Sequence, residues 1–120
     1  MSENEQLRLV LSTCPPDHAQ GLAEALVGDG LAACVNIIPG LRSVYRWEGE
    51  LHCDGESLLL IKTAADRLES VQTRLLGLHP YELPEIVVVP IVGGLDAYLA
   101  WVAASVVGPA PSLAQADGSG

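Results

Sequence analysis

The sequence predicts an α+β fold of the ferredoxin-like type, with the element order β-α-β-β-α-β and a further C-terminal helix. Four apolar runs, at residues 7–13, 31–38, 51–63 and 85–92, have the composition of strands. Between the first two runs, and again between the last two, apolar residues recur at the three- and four-residue spacing of a helix. This order corresponds to two β-α-β units around a central hairpin, which is the ferredoxin-like arrangement.

The predicted helices have start and stop signals. The first two are each expected to begin with a capping box, in which an N-cap aspartate is followed three residues later by Gln or Glu: Asp17 with Gln20, and Asp66 with Glu69. The second helix is expected to end at His79, because the residue before a proline resists the helical conformation. The last helix is predicted over residues 96–106, with four buried positions, namely Leu95, Tyr98, Leu99 and Val102.

The central hairpin is too long to belong to one compact domain. Its first half, residues 31–47, spans roughly 55 Å at ~3.3 Å per residue, whereas a domain of this size has a radius of gyration of about 13–14 Å. We therefore expect the hairpin to bend at Pro39-Gly40 and to project beyond its own sheet. Unpaired strand edges favour pairing with a neighbouring subunit. The composition agrees, because 49% of the residues are apolar and the mean hydropathy is +0.32.

The charge and the cysteines argue against several classes of partner and site. The chain has six basic and 15 acidic residues, which give a net charge of -9. Because nucleic acids and anionic membranes attract basic surfaces, neither is an expected partner. Cys14, Cys34 and Cys53 form no C-x-x-C pair, so neither a disulfide framework nor a structural zinc site is indicated. Cys34 lies in an apolar strand and is expected in the core.

A single domain is expected over residues 7–107. It lies between a disordered N-terminus at residues 1–6 and a disordered tail rich in Gly, Pro, Ala and Ser at residues 108–120. The N-terminal residues lack the basic segment and the apolar stretch of a signal peptide. No apolar run approaches the ~18 residues of a membrane span. We therefore expect a cytoplasmic protein.

Several long motifs, in this order along the chain, resemble the CutA family of divalent-cation-tolerance proteins. They cover nearly all of residues 7–106 and are LAACVNIIPG at 31–40, SVYRWEG at 43–49, LIKT at 60–63, HPYELPEI at 79–86 and DAYLAWV at 96–102. The resemblance implies a homotrimer formed through edge strands and the long hairpin, and a role in tolerance of divalent cations, chiefly copper. It also implies a subunit fold similar to that of the PII-type signalling proteins, and no enzymatic activity.

The resemblance also implies candidate metal ligands. In the family, metal binding is attributed to a cysteine at the end of the first strand and to a histidine just before the Pro-Tyr motif. His79 matches the histidine, whereas Ser12 occupies the matching strand position, with Cys14 two residues later. Leu78 stands where some members have a second histidine. We expect copper or another divalent ion at His79 and Cys14, without an organic cofactor; alternatively, His79 ends the helix and hydrogen-bonds a carbonyl.

A second candidate site is a ligand cleft between subunits. Tyr45 and Trp47 are two residues apart on one strand and therefore share a face. Lys62 lies on the returning strand, and Tyr81 and Glu85 enter the fourth strand. We expect these five residues to line a cleft for a small anionic or metal-bound ligand, with Lys62 paired to Glu85. The alternative is a structural cluster, because Tyr and Trp are enriched at interfaces for packing reasons alone.

The sequence favours a binding protein over an enzyme. It contains no G-x-S-x-G, H-E-x-x-H, Walker A or G-x-G-x-x-G motif. The leading interpretation is a cytoplasmic homotrimer for divalent metal tolerance through metal-ion binding. One alternative is a PII-like sensor with a small-molecule site between subunits, and another is a structural trimer that docks onto an unidentified protein partner. A hydrolase with Ser12 or Cys14 as nucleophile is the weakest alternative.

Overall fold

A computed structural model describes residues 6–106 of the chain. The predicted disordered segments, residues 1–6 and 108–120, lie outside this range except for Gln6. The elements follow the predicted order and are β1 (Leu7–Cys14), α1 (Ala19–Gly28), β2 (Cys34–Trp47), β3 (Glu50–Ala64), α2 (Leu68–Leu78), β4 (Val87–Pro90) and α3 (Asp96–Ser105). The longest of these helices, α2, has 11 residues, and no described helix is long and apolar enough to cross a membrane.

The four strands form one antiparallel sheet in the order β2-β3-β1-β4. This topology, with two helices that connect its outer and inner strands, confirms the predicted α+β ferredoxin-like fold. The described structure is that of one chain, so the trimer stays a prediction.

The sheet has a hydrophobic core on each face. Helices α1 and α2 pack on one face around the larger core, whose members include Val10, Leu22, Leu26, Leu59, Ile61, Val71 and Leu75. Because side chains alternate along a strand, Leu7 points to the other face, where it packs with Leu99 and Val102 of α3. These two positions on α3 were predicted to be buried. Leu95 and Tyr98 were predicted with them, but both are exposed, because Leu95 precedes the helix and Tyr98 lies outside the stripe that faces the sheet.

The predicted capping boxes are wrong. The N-cap residues are His18 and Arg67, and neither makes a side-chain capping hydrogen bond. A 3-10 turn precedes each helix, at Pro16–His18 and Ala65–Arg67, and the predicted aspartates lie inside these turns. The tighter turn supplies backbone partners where a side-chain cap was expected. The predicted end of α2 is confirmed, because the helix stops at Leu78 and His79 is extended.

Two strands are shorter than predicted. β2 begins at Cys34, because the backbone amides of Leu31 and Ala32 bond instead to the carbonyl of Leu26 and close α1. Cys34, at the strand's start, is only half-buried, which corrects the prediction that it lies in the core. β4 has four residues, Val87–Pro90, and leaves Glu85 outside the sheet.

The hairpin of β2 and β3 projects beyond the sheet, as predicted. Strand β1 ends at Cys14, which pairs with Ser57, so no strand within residues 6–106 pairs with residues 50–56 of β3 on that side. The pairing of β2 with β3 is interrupted once, between Ile38 and Leu41, at the predicted bend. We call residues 41–56 the arm. Its two-residue turn consists of Glu48 and Gly49, both with positive φ, which is the conformation of a tight hairpin turn.

The buried hydroxyl of Ser12 leads to a prediction about the free energy of unfolding. Its side chain is fully buried on β1, and its hydroxyl has no hydrogen-bond partner among the described residues. An orphaned buried hydroxyl costs about 1–3 kcal/mol. We therefore expect Ser12→Ala to raise the free energy of unfolding by about 1 kcal/mol in chemical denaturation at fixed protein concentration.

The matched control is Thr63→Val. The buried Thr63 hydroxyl donates to the carbonyl oxygen of Leu31 at 2.6 Å. Its removal leaves that carbonyl without this donor, so Thr63→Val is expected to lower the free energy of unfolding by about 1 kcal/mol. A loss of stability in Ser12→Ala that equals the loss in Thr63→Val would contradict the assignment of Ser12 as an orphan.

Candidate functional site

The arm and the segment between α2 and β4 enclose a cavity of about 760 Å³, which we call the cleft. Its lining includes three aromatic residues, three glutamates and two hydroxyl-bearing residues: Tyr45, Trp47 and Tyr81; Glu56, Glu82 and Glu85; and Thr13 and Ser43. No lysine or arginine of the described range, residues 6–106, lines it. The cleft therefore combines flat apolar surface with concentrated negative charge.

The pleat of the arm places its share of these side chains. Ser43, Tyr45 and Trp47 alternate along β2 and share one face. Residues directly opposite each other in a sheet also share a face, so Glu56, the partner of Leu41, lies on this side too. The rings of Tyr45 and His52, which are opposite each other, stack with their centroids 5.3 Å apart.

Glu56 is the most buried carboxylate of the cleft. The residue is 5% exposed, and its carboxylate accepts hydrogen bonds from the Ser43 hydroxyl at 2.5 Å and from the Tyr81 hydroxyl at 2.6 Å. None of the ion pairs formed by residues 6–106 involves it. Glu56 was not among the residues predicted from the sequence, although counting cross-strand pairs outward from the turn at Glu48-Gly49 places it on the face of Tyr45.

Burial, hydrogen bonds and negative charge raise the pKa of three acidic groups in this region. Burial, followed by the hydrogen bond to Glu56, raises the pKa of the Tyr81 phenol above its ordinary value of 10.0. The hydrogen bond to Asp54 is the main cause that raises the pKa of Tyr45. Burial, followed by the charges of Glu56 and Asp17, raises the pKa of the Cys14 thiol. A raised pKa disfavours the thiolate, which is the form of cysteine that binds metals.

His79 joins the end of α2 to β1. Its imidazole is buried, with Nε2 2.8 Å from the carbonyl oxygen of Thr13 and Nδ1 3.1 Å from the backbone nitrogen of Tyr81. Because Nδ1 accepts the amide proton, we assign the ring proton to Nε2, which donates to the carbonyl. This arrangement corresponds to the alternative in which His79 ends a helix and bonds a carbonyl. A metal at His79 has to replace one of these two bonds.

Cys14, the other predicted metal ligand, is fully buried in the core between the sheet and α1. Cys14 follows Thr13, whose carbonyl oxygen accepts a hydrogen bond from His79. The two predicted ligands are therefore connected through Thr13. Within residues 6–106, however, no group of three or more His, Cys, Asp or Glu side chains is placed to hold a metal ion. The metal site at His79 and Cys14 therefore stays a prediction.

Four of the five predicted cleft residues line the same cavity, namely Tyr45, Trp47, Tyr81 and Glu85. Lys62 is elsewhere. Its Nζ lies 2.6 Å from the side-chain oxygen of Asn36, and it lines a separate cavity of about 440 Å³ beside α3. Glu85 accepts a hydrogen bond from the Thr13 hydroxyl at 3.5 Å. The predicted pairing of Lys62 with Glu85 is therefore wrong within one chain, because Lys62 lies beside Leu9, four residues from Thr13 on β1.

Comparison with known proteins gives consistent matches over the described domain. Residues 8–105 match the family model described as CutA1 divalent ion tolerance protein. The divalent-cation tolerance protein CutA of Thermus thermophilus is 50% identical over 95 residues, which cover 78% of this chain and 92% of that protein. The chloroplastic protein CutA of Arabidopsis thaliana is 44% identical over 96 residues, which cover 78% of this chain and 53% of that protein.

A solved structure also matches the fold. The PII-like protein CutA from Nostoc sp. PCC 7120, in its apo form, superposes with a TM-score of 0.79 at 34% sequence identity. The match covers 83% of this chain and 97% of the Nostoc chain.

The raised pKa of Tyr81 predicts how the stability of the folded protein depends on pH. Because the pKa of its phenol is raised in the folded protein, the stability that this contributes is fully present below about pH 10, the ordinary value for tyrosine, and is lost as the pH rises further. Tyr45 also has a raised pKa, so in a spectrophotometric titration we expect Tyr81→Phe to show one late-ionising phenol fewer than the wild type. Glu56→Gln keeps an acceptor but removes the charge, and is expected to shift this ionisation toward pH 10. An identical alkaline titration of the wild type and Tyr81→Phe would contradict the assignment.

Proposed function

Because this chain belongs to the CutA1 divalent ion tolerance family, we propose that it acts in tolerance of divalent cations, with copper as the first candidate. In this proposal the protein is a cytoplasmic homotrimer without enzymatic activity. It binds a metal species in the cleft and responds by a change of conformation, in the manner of a PII-like sensor.

The buried carboxylate of Glu56 carries the proposal. A carboxylate taken out of water costs free energy unless its charge is compensated. Among residues 6–106, the hydrogen-bond partners of the Glu56 carboxylate are the neutral hydroxyls of Ser43 and Tyr81. Glu82 and Glu85 line the same cavity and add to its negative potential. A cation that enters the cleft offsets this unfavourable charge. Carboxylate and hydroxyl oxygens are suitable partners for divalent ions and for the water they carry.

The size of the cleft favours a metal ion that carries other groups. A cavity of about 760 Å³ is much larger than a single ion needs, and ligand sites of ~300–1,000 Å³ suit small molecules. The rings of Tyr45 and Trp47 offer flat surface for an organic group. We therefore propose that the ligand is a hydrated divalent ion or a divalent ion bound to a small organic molecule.

Exposed apolar surface supports the homotrimer. Val92 and Leu95, between β4 and α3, are 90% and 74% exposed. Helix α3 is apolar along most of its length, but of its residues only Leu99 and Val102 are buried in the chain. A helix that is apolar on all sides is normally covered on all sides. The two sheet edges, β2 and β4, offer backbone groups for pairing with other copies.

A second candidate is direct copper binding at His79 and Cys14. The hydrogen bond of His79 to the carbonyl of Thr13, the residue before Cys14, favours it, because imidazole and thiolate are good ligands for copper. Against it stand the two hydrogen bonds of the imidazole and the raised pKa of the Cys14 thiol.

Calorimetric titration distinguishes the two candidates. Copper(II), and copper(I) under reducing conditions, are titrated into the wild type, Glu56→Gln, His79→Ala and Cys14→Ala. We expect saturable binding of copper(II) that Glu56→Gln weakens at least tenfold. Glu69→Gln, on the exposed surface of α2, is the matched control and should bind as the wild type does.

The other outcomes of the copper titration would support a different site or a different function. Binding that is weakened by His79→Ala and Cys14→Ala, but not by Glu56→Gln, would replace the cleft with the second candidate. Weak binding that no variant changes would contradict a metal role, and a melting temperature unaffected by copper would agree with that result. A trimer that acts by docking onto a protein partner would then be the preferred function.

The homotrimer is tested by its mass. We expect light scattering to give three times the chain mass of 12.6 kDa over a wide range of protein concentrations. Because so much apolar surface is left exposed in one chain, dissociation should be accompanied by loss of the native circular dichroism. A species with the mass of one chain and a native spectrum on dilution would contradict the proposal.

A further inference from the structure

The two faces of the arm carry opposite charge. One face, which we call the acidic face, presents Tyr45, Trp47, Glu50, His52 and Asp54. The other, which we call the basic face, presents Arg42, Val44, Arg46, Leu51 and Cys53. The assignment follows from strict alternation along each strand and from the cross-strand pairs of Tyr45 with His52 and of Arg46 with Leu51.

The arginines of the basic face have no partner within the described chain. Arg42 and Arg46 are exposed, and neither takes part in an ion pair or side-chain hydrogen bond within residues 6–106. In contrast, Arg74 is paired with Asp29 at 2.8 Å. Two of the six basic residues of this strongly acidic chain thus lie on one face of the arm without a partner among residues 6–106.

The charges on the two faces have matching spacing. Arg42 and Arg46 are four residues apart on β2, and Glu50 and Asp54 are four residues apart on β3. At ~3.3 Å per residue, each pair spans roughly 13 Å. A second arm can therefore place both arginines against both carboxylates at once.

The apolar groups between the charges also correspond. On the basic face, Val44 and Leu51 are 66% and 75% exposed. On the acidic face, the half-exposed rings of Tyr45 and Trp47 lie beside the carboxylates. A guanidinium group forms paired hydrogen bonds with a carboxylate and stacks on an aromatic ring, so this combination suits arginine.

We propose that the basic face of one arm packs against the acidic face of the arm of the next copy, with Arg42 and Arg46 paired to Asp54 and Glu50. The inference rests on the homotrimer proposed above and specifies its surfaces. A contact between two different faces is head-to-tail, and it closes into a ring when the rotation between copies allows. Because Tyr45 and Trp47 also line the cleft, the next arm supplies its outer wall, and the ligand site is complete only in the assembly.

Charge exchange tests the pairing. Arg42→Glu with Arg46→Glu, and separately Glu50→Lys with Asp54→Lys, place like charges opposite each other in every contact. We expect each double variant to raise the protein concentration for half-dissociation of the trimer at least tenfold in light scattering. All four substitutions together restore opposite charges in every contact, so the fourfold variant should recover the trimer. Glu24→Lys with Glu69→Lys, exposed on α1 and α2, alters the net charge as Glu50→Lys with Asp54→Lys does, and should leave assembly unchanged.

Cys53 provides a second readout, because it lies on the basic face and is exposed in the single chain. In a Cys34→Ser background, an aromatic disulfide reagent should modify Cys53 at least tenfold more slowly in the trimer than in the Arg42→Glu and Arg46→Glu variant. A wild type with the mass of one chain at all concentrations would contradict the homotrimer itself. A wild-type trimer with a rapidly modified Cys53, or a fourfold variant that fails to reassemble although each double variant dissociates, would overturn the arm contact alone.

Discussion

The antiparallel pairing of β2 with β3 is the constraint on which the rest of the structure depends. Their hydrogen bonds continue from the sheet into the arm, whereas β1 accompanies β3 only as far as Ser57. One hairpin therefore belongs partly to the core and partly to the surface. Its two-residue turn sets the register, and a slip of one residue would exchange the two faces of the arm. The position of Glu56 beside Ser43, and the separation of arginines from carboxylates, both follow from that register.

The cleft needs a second constraint, which the buried imidazole of His79 supplies. By bonding to the carbonyl of Thr13 and the amide of Tyr81, it fixes the chain between α2 and β4 against β1. The Tyr81 phenol then reaches Glu56 on the arm. The segment between α2 and β4 is thus tied to β1 through His79 and to the arm through Tyr81. The histidine that the family motif marks as a candidate ligand has a structural role in the single chain.

The same distribution of charge relates ligand binding to assembly. Carboxylates lie both inside the cleft, at Glu56, and along the outer part of the same face, at Glu50 and Asp54. In the proposed assembly, the outer carboxylates are neutralised by arginines of the next arm, while the inner one is left for the ligand. A metal species and a neighbouring subunit therefore act on adjoining parts of one acidic surface. This arrangement offers a physical route by which binding in the cleft changes the contact between subunits.

By itself, the sequence determined the order of the elements, the end of α2 before Pro80 and the projecting hairpin, because periodicity, proline sterics and chain length act over short stretches. It did not determine the helix starts, where 3-10 turns replaced the side-chain cap expected at Asp17. Family motifs and strand alternation predicted that Tyr45 and Trp47 share a face and line the cleft. Tertiary structure alone decided that Glu56 belongs to the cleft and Lys62 does not. The physical reason is that the partner of a charged side chain depends on strand register and on which distant segment crosses it, and both are settled only when the whole sheet is assembled.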